Sequence, residues 1–567
     1  MAKNTNQQKP QPASPKKATP TKAATIGVLD RIDNWLQQND KKVFYTLLFL
    51  STLFSLLLFD SKVSDGGDDS SYIERAWSLL KDGKFPYFQG PGYPVALSLF
   101  VKIFGLKVIA LKFFSVLCQF GFVWITYISF SKRVPYLVLF ALLAFLSFNN
   151  FIQYYASQTF TETFFLFVQS ICIYITFKII DAINTEDSLL QGFKNNYGKW
   201  LLFGFMFVML AISKSVGFVA IGGVLAYFLF TKNYKQILYA VVMFLLFRTL
   251  YQLITTAAFG PNETNQLEMM LRKHLYYENQ GHEDFSGMID RFFNNFNTYI
   301  SLHIYRILNL RAFDYKTEDI IPSLSFLSTV IMGVFAVLSF RKNKFIFFSG
   351  LYLAALCGGI FLGVQSENMQ DRLIIIAMPF VYLVLFNGTY MLVKRSAYGQ
   401  TLLLIFSVIM LLKTVGISSM KAKDNVTALK KNLSGDIYYG FTPDWTNFLK
   451  MSKYCGDSLP VNVGVVSRKP SMSFIYGNGR KFVGQFTVIT TKAGTVDADT
   501  VLAAWKKSNV KYVIRARLRQ NPKKQNGEWI NTIDRMLQPI NEKYPTKLRV
   551  VKTIGDEEQC ELFEIKD

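Results

Sequence analysis

The stretch that decides the fold is VFYTLLFLSTLFSLLLFDSKVSDGGDDSSYIE, residues 43–74. Its first 17 residues carry no charge, and a helix that crosses a membrane needs about 17–25 mostly apolar residues. Four carboxylates then follow within ten residues: Asp65, Asp68, Asp69 and Glu74. The pattern predicts a membrane-spanning helix with a cluster of carboxylates close to one of its ends.

The composition of the whole chain agrees with this interpretation. Of 567 residues, 51% are hydrophobic, 53 are Phe and 29 are Tyr, and the apolar residues stand in long blocks. Ordinary soluble cores cannot bury that much apolar surface, so we expect a polytopic α-helical membrane protein. The net charge of +23 comes from 62 Lys and Arg against 39 Asp and Glu. Much of this basic excess flanks apolar blocks, where lipid headgroups attract it, and it does not indicate a nucleic-acid partner.

Eleven apolar blocks are predicted to span the membrane. They lie at 43–59, 108–130, 134–150, 159–180, 199–213, 216–231, 235–257, 323–340, 345–363, 372–393 and 400–418. The block 94–105 is too short to span and predicts an interfacial or re-entrant helix. With the N-terminus in the cytoplasm, Lys and Arg collect in every short inside loop except 181–198, as the positive-inside rule requires. Loops 60–107 and 258–322 then lie outside.

Three regions are predicted. Residues 1–42 form a disordered, basic cytoplasmic tail, residues 43–420 the transmembrane domain, and residues 421–567 a small extracytoplasmic α/β domain. In the last region the strand-like runs are 461–467, 481–488, 510–516, 548–553 and 561–565, and helical patterns cover 443–454, 499–508 and 528–543. Such alternation is typical of a sheet covered by helices. Cys455 and Cys560 could form a disulfide there if the domain is extracytoplasmic.

The acidic turn after the first span is the best candidate for chemistry. Gly66 and Gly67 let the backbone turn sharply, so that the acids converge. Ser71-x-x-Glu74 is a capping box that begins an amphipathic helix, which ends near Gly83. Carboxylates at a membrane surface can take a proton from an acceptor hydroxyl or amine while a lipid phosphate leaves. A solvated acidic loop beside a helix cap is the alternative interpretation.

Three patches around this turn follow one another in a characteristic order: Asp68-Asp69-Ser70-Ser71-Tyr72, Gly90-Pro91-Gly92-Tyr93-Pro94 and Phe104-Gly105. The order resembles the first extracytoplasmic loop of GT-C glycosyltransferases, above all the protein O-mannosyltransferase and aminoarabinose transferase group. In that family the loop reads acid-x-x-x-Tyr, helix, Pro/Tyr turn, then an apolar helix that ends in Phe-Gly. Because the family's catalytic acid lies four residues before the Tyr, the resemblance implies that Asp68 is that acid and Asp69 the adjacent one.

Three later patches fit the same resemblance. Thr161-Glu162 opens the fourth span as a Thr-acid pair does in the family. Lys214-Ser215 lies where relatives carry a basic residue followed by Pro, although the Pro is missing here, and Asp371-Arg372-Leu373 resembles an Arg-Tyr pattern with Leu in place of Tyr. A basic side chain at membrane depth needs a cavity or a partner. Arg372 and Lys214 are therefore candidates for binding a lipid phosphate, with snorkelling or topology marking as the alternatives.

The resemblance also extends to two further regions, the loop 258–322 and a patch in the C-terminal domain. The family uses the loop that corresponds to 258–322 to cover donor and acceptor, which implies a lid in which Arg272 and Lys273 contact the donor phosphate. The run His282-Glu283-Asp284 in this loop matches no zinc motif. Metal dependence varies among GT-C enzymes, so a divalent ion at the acidic turn stays an open question, and no other cofactor is expected. Ser467-Arg468-Lys469-Pro470 is similar to the soluble domain of some bacterial members.

The resemblance implies an inverting membrane glycosyltransferase, a hexosyl- or pentosyltransferase of the bacterial cytoplasmic membrane that serves the cell envelope. It would move a sugar from a polyprenyl-phosphate donor to an extracytoplasmic glycan, lipid or protein. Asp68 would act as base with Asp69 or Glu162 assisting, and Arg372 and Lys214 would stabilise the departing phosphate. A transporter or flippase of lipid-linked sugars is the alternative. Transporters usually place charges near the bilayer midplane, whereas these carboxylates crowd an outer loop.

Overall fold

The chain is described by a computed structural model. It covers residues 27–88, 90–184, 186–262, 266–274, 280–311, 319–365, 369–491, 494–519 and 529–566. Most of these residues form a bundle of apolar helices, and the C-terminal part forms a small α/β domain against one end of that bundle.

The bundle and its connecting segments contain helices α1 to α19. Their bounds are α1 Val28–Gln38, α2 Asp40–Leu57, α3 Asp68–Asp82, α4 Gly92–Phe104, α5 Val108–Phe130, α6 Tyr136–Phe148, α7 Asn150–Ala156, α8 Thr161–Asp181, α9 Leu189–Ser213, α10 Gly217–Phe230, α11 Tyr234–Phe259, α12 Gln266–Leu271, α13 Phe285–Thr298, α14 Ile304–Ile307, α15 Pro322–Leu338, α16 Lys344–Gly363, α17 Asp371–Ile374, α18 Met378–Val393 and α19 Ala397–Leu433. A π-helical turn, Tyr299–His303, joins α13 to α14, and a 3-10 turn, Ile375–Ala377, joins α17 to α18.

Among the described residues, seven helices are long and apolar enough to cross a membrane: α5, α8, α9, α11, α16, the composite Asp371–Val393, and α19. The pair α6 and α7, bent by 58°, would make an eighth. The chain is therefore an integral membrane protein, but the predicted count of eleven spans is not confirmed. Helices α10 and α15 have only 14 and 17 residues, and α2 begins with three charged residues, Asp40, Lys41 and Lys42.

Three predicted boundaries differ from the structure. Helix α9 begins at Leu189 rather than at 199, because Ser188 caps it by accepting a hydrogen bond from the Gln191 backbone N–H at 3.2 Å. Helix α19 runs without a break through the expected domain boundary at 420. Residues 28–42, predicted as part of a disordered tail, are helical; Leu29 and Leu36 of α1 are buried in the core. Residues 1–26 lie outside the described residues.

One end of the bundle, which we call the basic end, collects the loops predicted to face the cytoplasm. Asp181 at the end of α8 pairs with Arg133 at 2.6 Å and with Lys344 at 3.1 Å. Lys394 pairs with Asp30 of α1 at 2.9 Å. The opposite end, here called the acidic end, carries residues 60–83, and the C-terminal domain packs there. Lys481 of the domain pairs with Asp82 at 2.6 Å.

The C-terminal domain is a five-stranded mixed sheet of order β2-β1-β3-β5-β4 with four helices. Its elements are α20 Pro443–Ser458, β1 Gly464–Ser467, α21 Pro470–Tyr476, β2 Val483–Gly484, α22 Ala498–Lys507, β3 Val510–Ala516, α23 Thr532–Lys543, β4 Leu548–Ile554 and β5 Cys560–Ile565. β1 pairs in parallel with β2 and β3, and β5 pairs antiparallel with β3 and β4. All five predicted strands therefore have counterparts. Cys455 and Cys560 are buried free thiols, not a disulfide.

Contacts along α3 hold this domain against the acidic end. The Tyr476 hydroxyl donates to the Ser61 carbonyl at 2.8 Å. The rings of Trp77 and Phe474 meet edge to face with centroids 6.2 Å apart. Together with the Lys481–Asp82 pair, these contacts place the domain directly over residues 60–83.

Candidate active site

The acidic turn has a fixed backbone. Gly67 adopts a left-handed conformation with φ of 84°, which glycine accepts without strain, and α3 begins at the next residue, Asp68. Asp69 is fully buried, and its carboxylate accepts hydrogen bonds from the Ser64 backbone N–H at 2.7 Å, the Ser64 hydroxyl at 2.8 Å and the Ser70 backbone N–H at 2.8 Å. Burial raises the pKa of Asp69 to about 6. Asp69 therefore holds the turn together, while Asp68 remains half-exposed.

Asp68 meets Arg372 at the acidic end. The Arg372 Nη2 lies 2.5 Å from the Asp68 Oδ2, although 304 positions separate them in sequence. The guanidinium also lies over the ring of Phe160, 5.6 Å from its centroid. The Asp68 side chain is 41% exposed and that of Arg372 is 21% exposed, so both groups are accessible to a ligand that enters this region.

The π-helical turn, Tyr299–His303, contacts the segment that carries Arg372 and fixes it. The His303 Nδ1 and the Asp371 Oδ1 lie 2.5 Å apart, and the Tyr299 hydroxyl accepts the Gln370 backbone N–H at 3.3 Å. π-helical turns are rare and often occur at functional sites. These contacts fix the first turn of α17 and thus the direction of the Arg372 side chain.

A second ion pair lies beside the first. Lys214, in the extended link between α9 and α10, donates to the Glu162 Oε1 at 2.7 Å. Glu162 is 1% exposed, and its other oxygen has no hydrogen-bond partner in the described part of the chain. The charges of Glu162 and Asp68 both act on Arg372, and those of Arg372 and Asp68 both act on Lys214. These four side chains therefore form one cluster of two acids and two bases, which we call the charged cluster.

A cavity of about 240 Å³ opens next to the charged cluster. Of the charged cluster, Lys214 lines this cavity, and Leu373, the neighbour of Arg372 in sequence, lines it as well. The rest of the lining is almost entirely apolar and includes Val219, Met269, Met270 and Ile360. A small cationic end and long apolar walls suit a ligand with a phosphate head and a hydrocarbon tail.

Arg272 and Lys273 lie outside the charged cluster. Arg272 donates to Glu268 at 2.9 Å, and its own carbonyl accepts from Arg291 at 2.8 Å. The short segment 266–274 nevertheless borders the cavity through Met269 and Met270. The structure thus brings together Asp68, Glu162, Arg372 and Lys214, with Asp69 behind them. Arg272 and Lys273 lie to one side of this cluster.

In the described ranges, no group of three or more His, Cys, Asp or Glu side chains stands close enough to hold a metal ion. At the acidic turn, hydrogen bonds from the protein already occupy both oxygens of Asp69.

Two residues near the site were not assigned from sequence. Lys112 is fully buried in α5 and donates to Asp60 at 2.6 Å; a lysine inside an apolar block was the available signal. Lys469 donates to the Asp65 carbonyl at 2.5 Å. Its patch had been noted, but no sequence pattern links residues 404 positions apart.

No family model and no curated protein matches the chain. Solved structures of two GT-C glycosyltransferases are similar to it. ArnT from Cupriavidus metallidurans bound to undecaprenyl phosphate matches with a TM-score of 0.53 and 10% identity over 92% of this chain and 97% of that one. Its apo form matches with a TM-score of 0.54 and 10% identity over 94% and 98%.

The other protein is the archaeal oligosaccharyltransferase AglB from Archaeoglobus fulgidus, solved with an inhibitory peptide and a dolichol-phosphate. It matches with a TM-score of 0.53 and 12% identity over 84% of this chain and 70% of that one. Both proteins match over more than four fifths of this chain. The expectation drawn from the acidic turn is confirmed at the level of architecture: the chain has the GT-C glycosyltransferase fold.

Proposed function

We propose that this protein is a membrane glycosyltransferase that takes a sugar from a polyprenyl-phosphate carrier and places it, with inversion, on an acceptor at the extracytoplasmic face. The observation that carries the proposal is the charged cluster, in which Asp68 contacts Arg372 and Lys214 lines a largely apolar cavity. The fold supports it, because the similar structures contain undecaprenyl phosphate or dolichol-phosphate.

In this proposal the ion pair is a resting arrangement. Without a donor, the carboxylate of Asp68 and the guanidinium of Arg372 neutralise each other. A donor phosphate would replace the carboxylate on Arg372, since a guanidinium can bind two phosphate oxygens at once. Asp68 is then released as a free carboxylate next to the sugar, where it accepts the proton of the acceptor as the new bond forms.

The departing phosphate needs positive charge, which Lys214 would supply from the wall of the cavity and Arg372 from the adjoining part of the charged cluster. Charge localises on the phosphate as the bond to the sugar breaks, and fixed cations in a water-poor site stabilise it strongly. Glu162 is too deeply buried to reach an acceptor freely and acts as the counter-ion that keeps Lys214 in place. Asp69 fixes the turn from which Asp68 projects.

The apolar walls of the cavity would hold the first isoprene units, and the remaining tail would extend into the bilayer. The cavity of about 240 Å³ is smaller than a whole polyprenyl chain and suits only the part next to the phosphate. The acceptor would approach between the acidic turn and the C-terminal domain, which faces that turn.

The experiment is to supply detergent-purified protein with polyprenyl-phosphate sugars and a set of glycan, lipid and peptide acceptors, and to measure the release of free polyprenyl phosphate as the sugar is transferred. Asp68→Asn should abolish release, because the amide cannot accept the proton. Asp82→Asn is the matched control: it lies at the far end of the same helix, α3, and its partner is Lys481. If Asp68→Asn retains the parental rate, the assignment of the base is wrong.

The same assay separates the proposal from a transporter or flippase of lipid-linked sugars. An enzyme releases polyprenyl phosphate in detergent, where no second compartment exists. A flippase leaves the donor chemically unchanged. Testing donors with different sugars would then identify the substrate.

A further inference from the structure

Lys469 brings a positive charge from the C-terminal domain to the acidic turn. It lies in the link between β1 and α21, at the carboxyl end of a strand that pairs in parallel with two neighbours. This is the edge at which parallel α/β sheets present functional groups. Its backbone N–H is fixed by the Ser467 hydroxyl at 3.2 Å, and its ammonium donates to the Asp65 carbonyl at 2.5 Å.

The surroundings of this ammonium are unusual for a lysine that only links two surfaces. It is half-buried and lies over the ring of buried Trp445, 6.0 Å from the centroid. The charged groups that act on it are Arg468 beside it and Asp65, Asp68 and Asp69 across the interface. Lys62 and Asp444 act in turn on Asp65. Three carboxylates of the acidic turn therefore share this cation.

Another ion pair at the same interface provides a comparison. Lys481 also reaches from the domain to α3, where it pairs with Asp82 at 2.6 Å, but its side chain is 57% exposed and the pair lies at the opposite end of that helix from Asp68. We expect a contact that serves only to dock the domain to be exposed and remote from Asp68, as this pair is. Lys469 instead contacts the backbone of the turn that leads into Asp68.

We propose that Lys469 is a positioning residue of the active site, supplied by the C-terminal domain, which fixes the acidic turn and keeps its carboxylates ionised. The inference rests on the function proposed above. Lys469 does not touch the transferred sugar; it acts through Asp65 and the turn on the reactivity of Asp68. The C-terminal domain thereby completes the site electrostatically, as well as covering it.

Two opposite pH effects follow. A nearby ammonium favours the ionised form of a carboxylate, so its loss favours protonation of the acidic turn, and a base that must be ionised stops working at a higher pH. Burial, together with the charge of Arg468, lowers the pKa of Lys469 to about 8. Above that pH the carboxylates are ionised without help, but Lys469 becomes a neutral amine, its hydrogen bond to the Asp65 carbonyl loses the charge that strengthens it, and the acidic turn is fixed less firmly.

The test is the pH profile of polyprenyl-phosphate release for the purified full-length protein and three variants: Lys469→Met, Lys469→Arg and Lys481→Met. For Lys469→Met we expect the acid limb to move up by about one pH unit, which lowers release about tenfold at pH values well below both midpoints and leaves it unchanged well above them. For Lys469→Arg, whose charge persists at high pH, we expect a normal acid limb and an alkaline limb that lies above that of the parent.

Lys481→Met is the docking control and should leave the shape of the profile unchanged. If Lys469→Met lowers release by the same factor at every pH, Lys469 only docks the domain and the inference is wrong. If Lys469→Met does not fold, the alkaline limb of Lys469→Arg decides alone: a limb that coincides with the parent's overturns the inference. Absence of release from the parent at any pH would instead contradict the proposed function.

Discussion

The two ends of the bundle use ion pairs in different ways. At the basic end the pairs are largely exposed: in Lys394–Asp30 the two side chains are 48% and 37% exposed. At the acidic end Lys112 and Asp60 are 0% and 9% exposed, and Glu162 is buried with Lys214. Exposed pairs contribute about 0–1 kcal/mol, whereas buried pairs require that both charges leave water. The basic end marks orientation, and the acidic end retains costly charges where chemistry is proposed.

The largest effect is expected when a buried pair loses one member. Lys112→Met removes the buried partner of the Asp60 carboxylate and leaves it only the partly exposed Lys62, 4.0 Å away, so we expect a loss of about 3–5 kcal/mol in the free energy of unfolding. Thermal unfolding in detergent measures it. Adding Asp60→Asn to this variant removes the lone charge and should recover part of the loss. A single variant as stable as the parent would mean that water reaches the carboxylate.

The second effect concerns the charged cluster. Arg372→Met removes the cation proposed to stabilise the departing phosphate, and we expect polyprenyl-phosphate release to fall about 100- to 1,000-fold. Stability should change little, because the Asp68 side chain is 41% exposed and water can solvate it. Arg372→Lys keeps the positive charge but lacks the guanidinium that can bind two phosphate oxygens at once. Its rate of release should therefore lie between those of the parent and of Arg372→Met. Release at the parental rate from Arg372→Met would contradict the proposed role.

The smallest effect is expected at the basic end. Lys394→Met breaks the pair with Asp30, and we expect a change of about 0–1 kcal/mol in the free energy of unfolding with unchanged release of polyprenyl phosphate. Unfolding curves at low and high salt check the first part, since an exposed pair is screened by salt. A loss comparable to that of Lys112→Met would erase the contrast between the two ends.

Sequence reasoning found the parts of the fold that depend on local pattern. The five strands of the C-terminal domain follow from β-branched and apolar runs. The bounds of β3, β4 and β5 lie within one residue of the predicted ones, whereas β1 and β2 contain only four and two residues of the predicted runs 461–467 and 481–488. Helix α21 was missed because its seven residues are too few for a periodic pattern and begin with Pro470. The start of α9 was missed because polar residues fill its first turns before the apolar block begins.

The site could be predicted where a residue type has few structural explanations, as for a charged residue at the end of an apolar span. Asp68 as base and Arg372 as phosphate-binding cation were predicted to act on the same donor, and the structure places their side chains in contact. The contact of Lys469 with Asp65 could not be predicted, because it depends on how a domain docks over the turn. The predicted contact of Arg272 with the donor phosphate stays a prediction; in the structure Arg272 donates to Glu268, which lies one helical turn away in sequence.

Helix α19 has a mechanical consequence. With 37 residues it is about 56 Å long, well beyond the hydrocarbon core of about 30 Å. Asn425, in the C-terminal half of α19, donates to the Leu57 and Phe59 carbonyls at 3.1 and 2.7 Å. These hydrogen bonds attach α19 to the segment that leads into the acidic turn. A thicker bilayer reduces the tilt of a long helix. Because α19 is attached to the segment before the acidic turn, a change in its tilt would move that segment. The turnover of this protein should therefore vary with the acyl-chain length of the surrounding lipids.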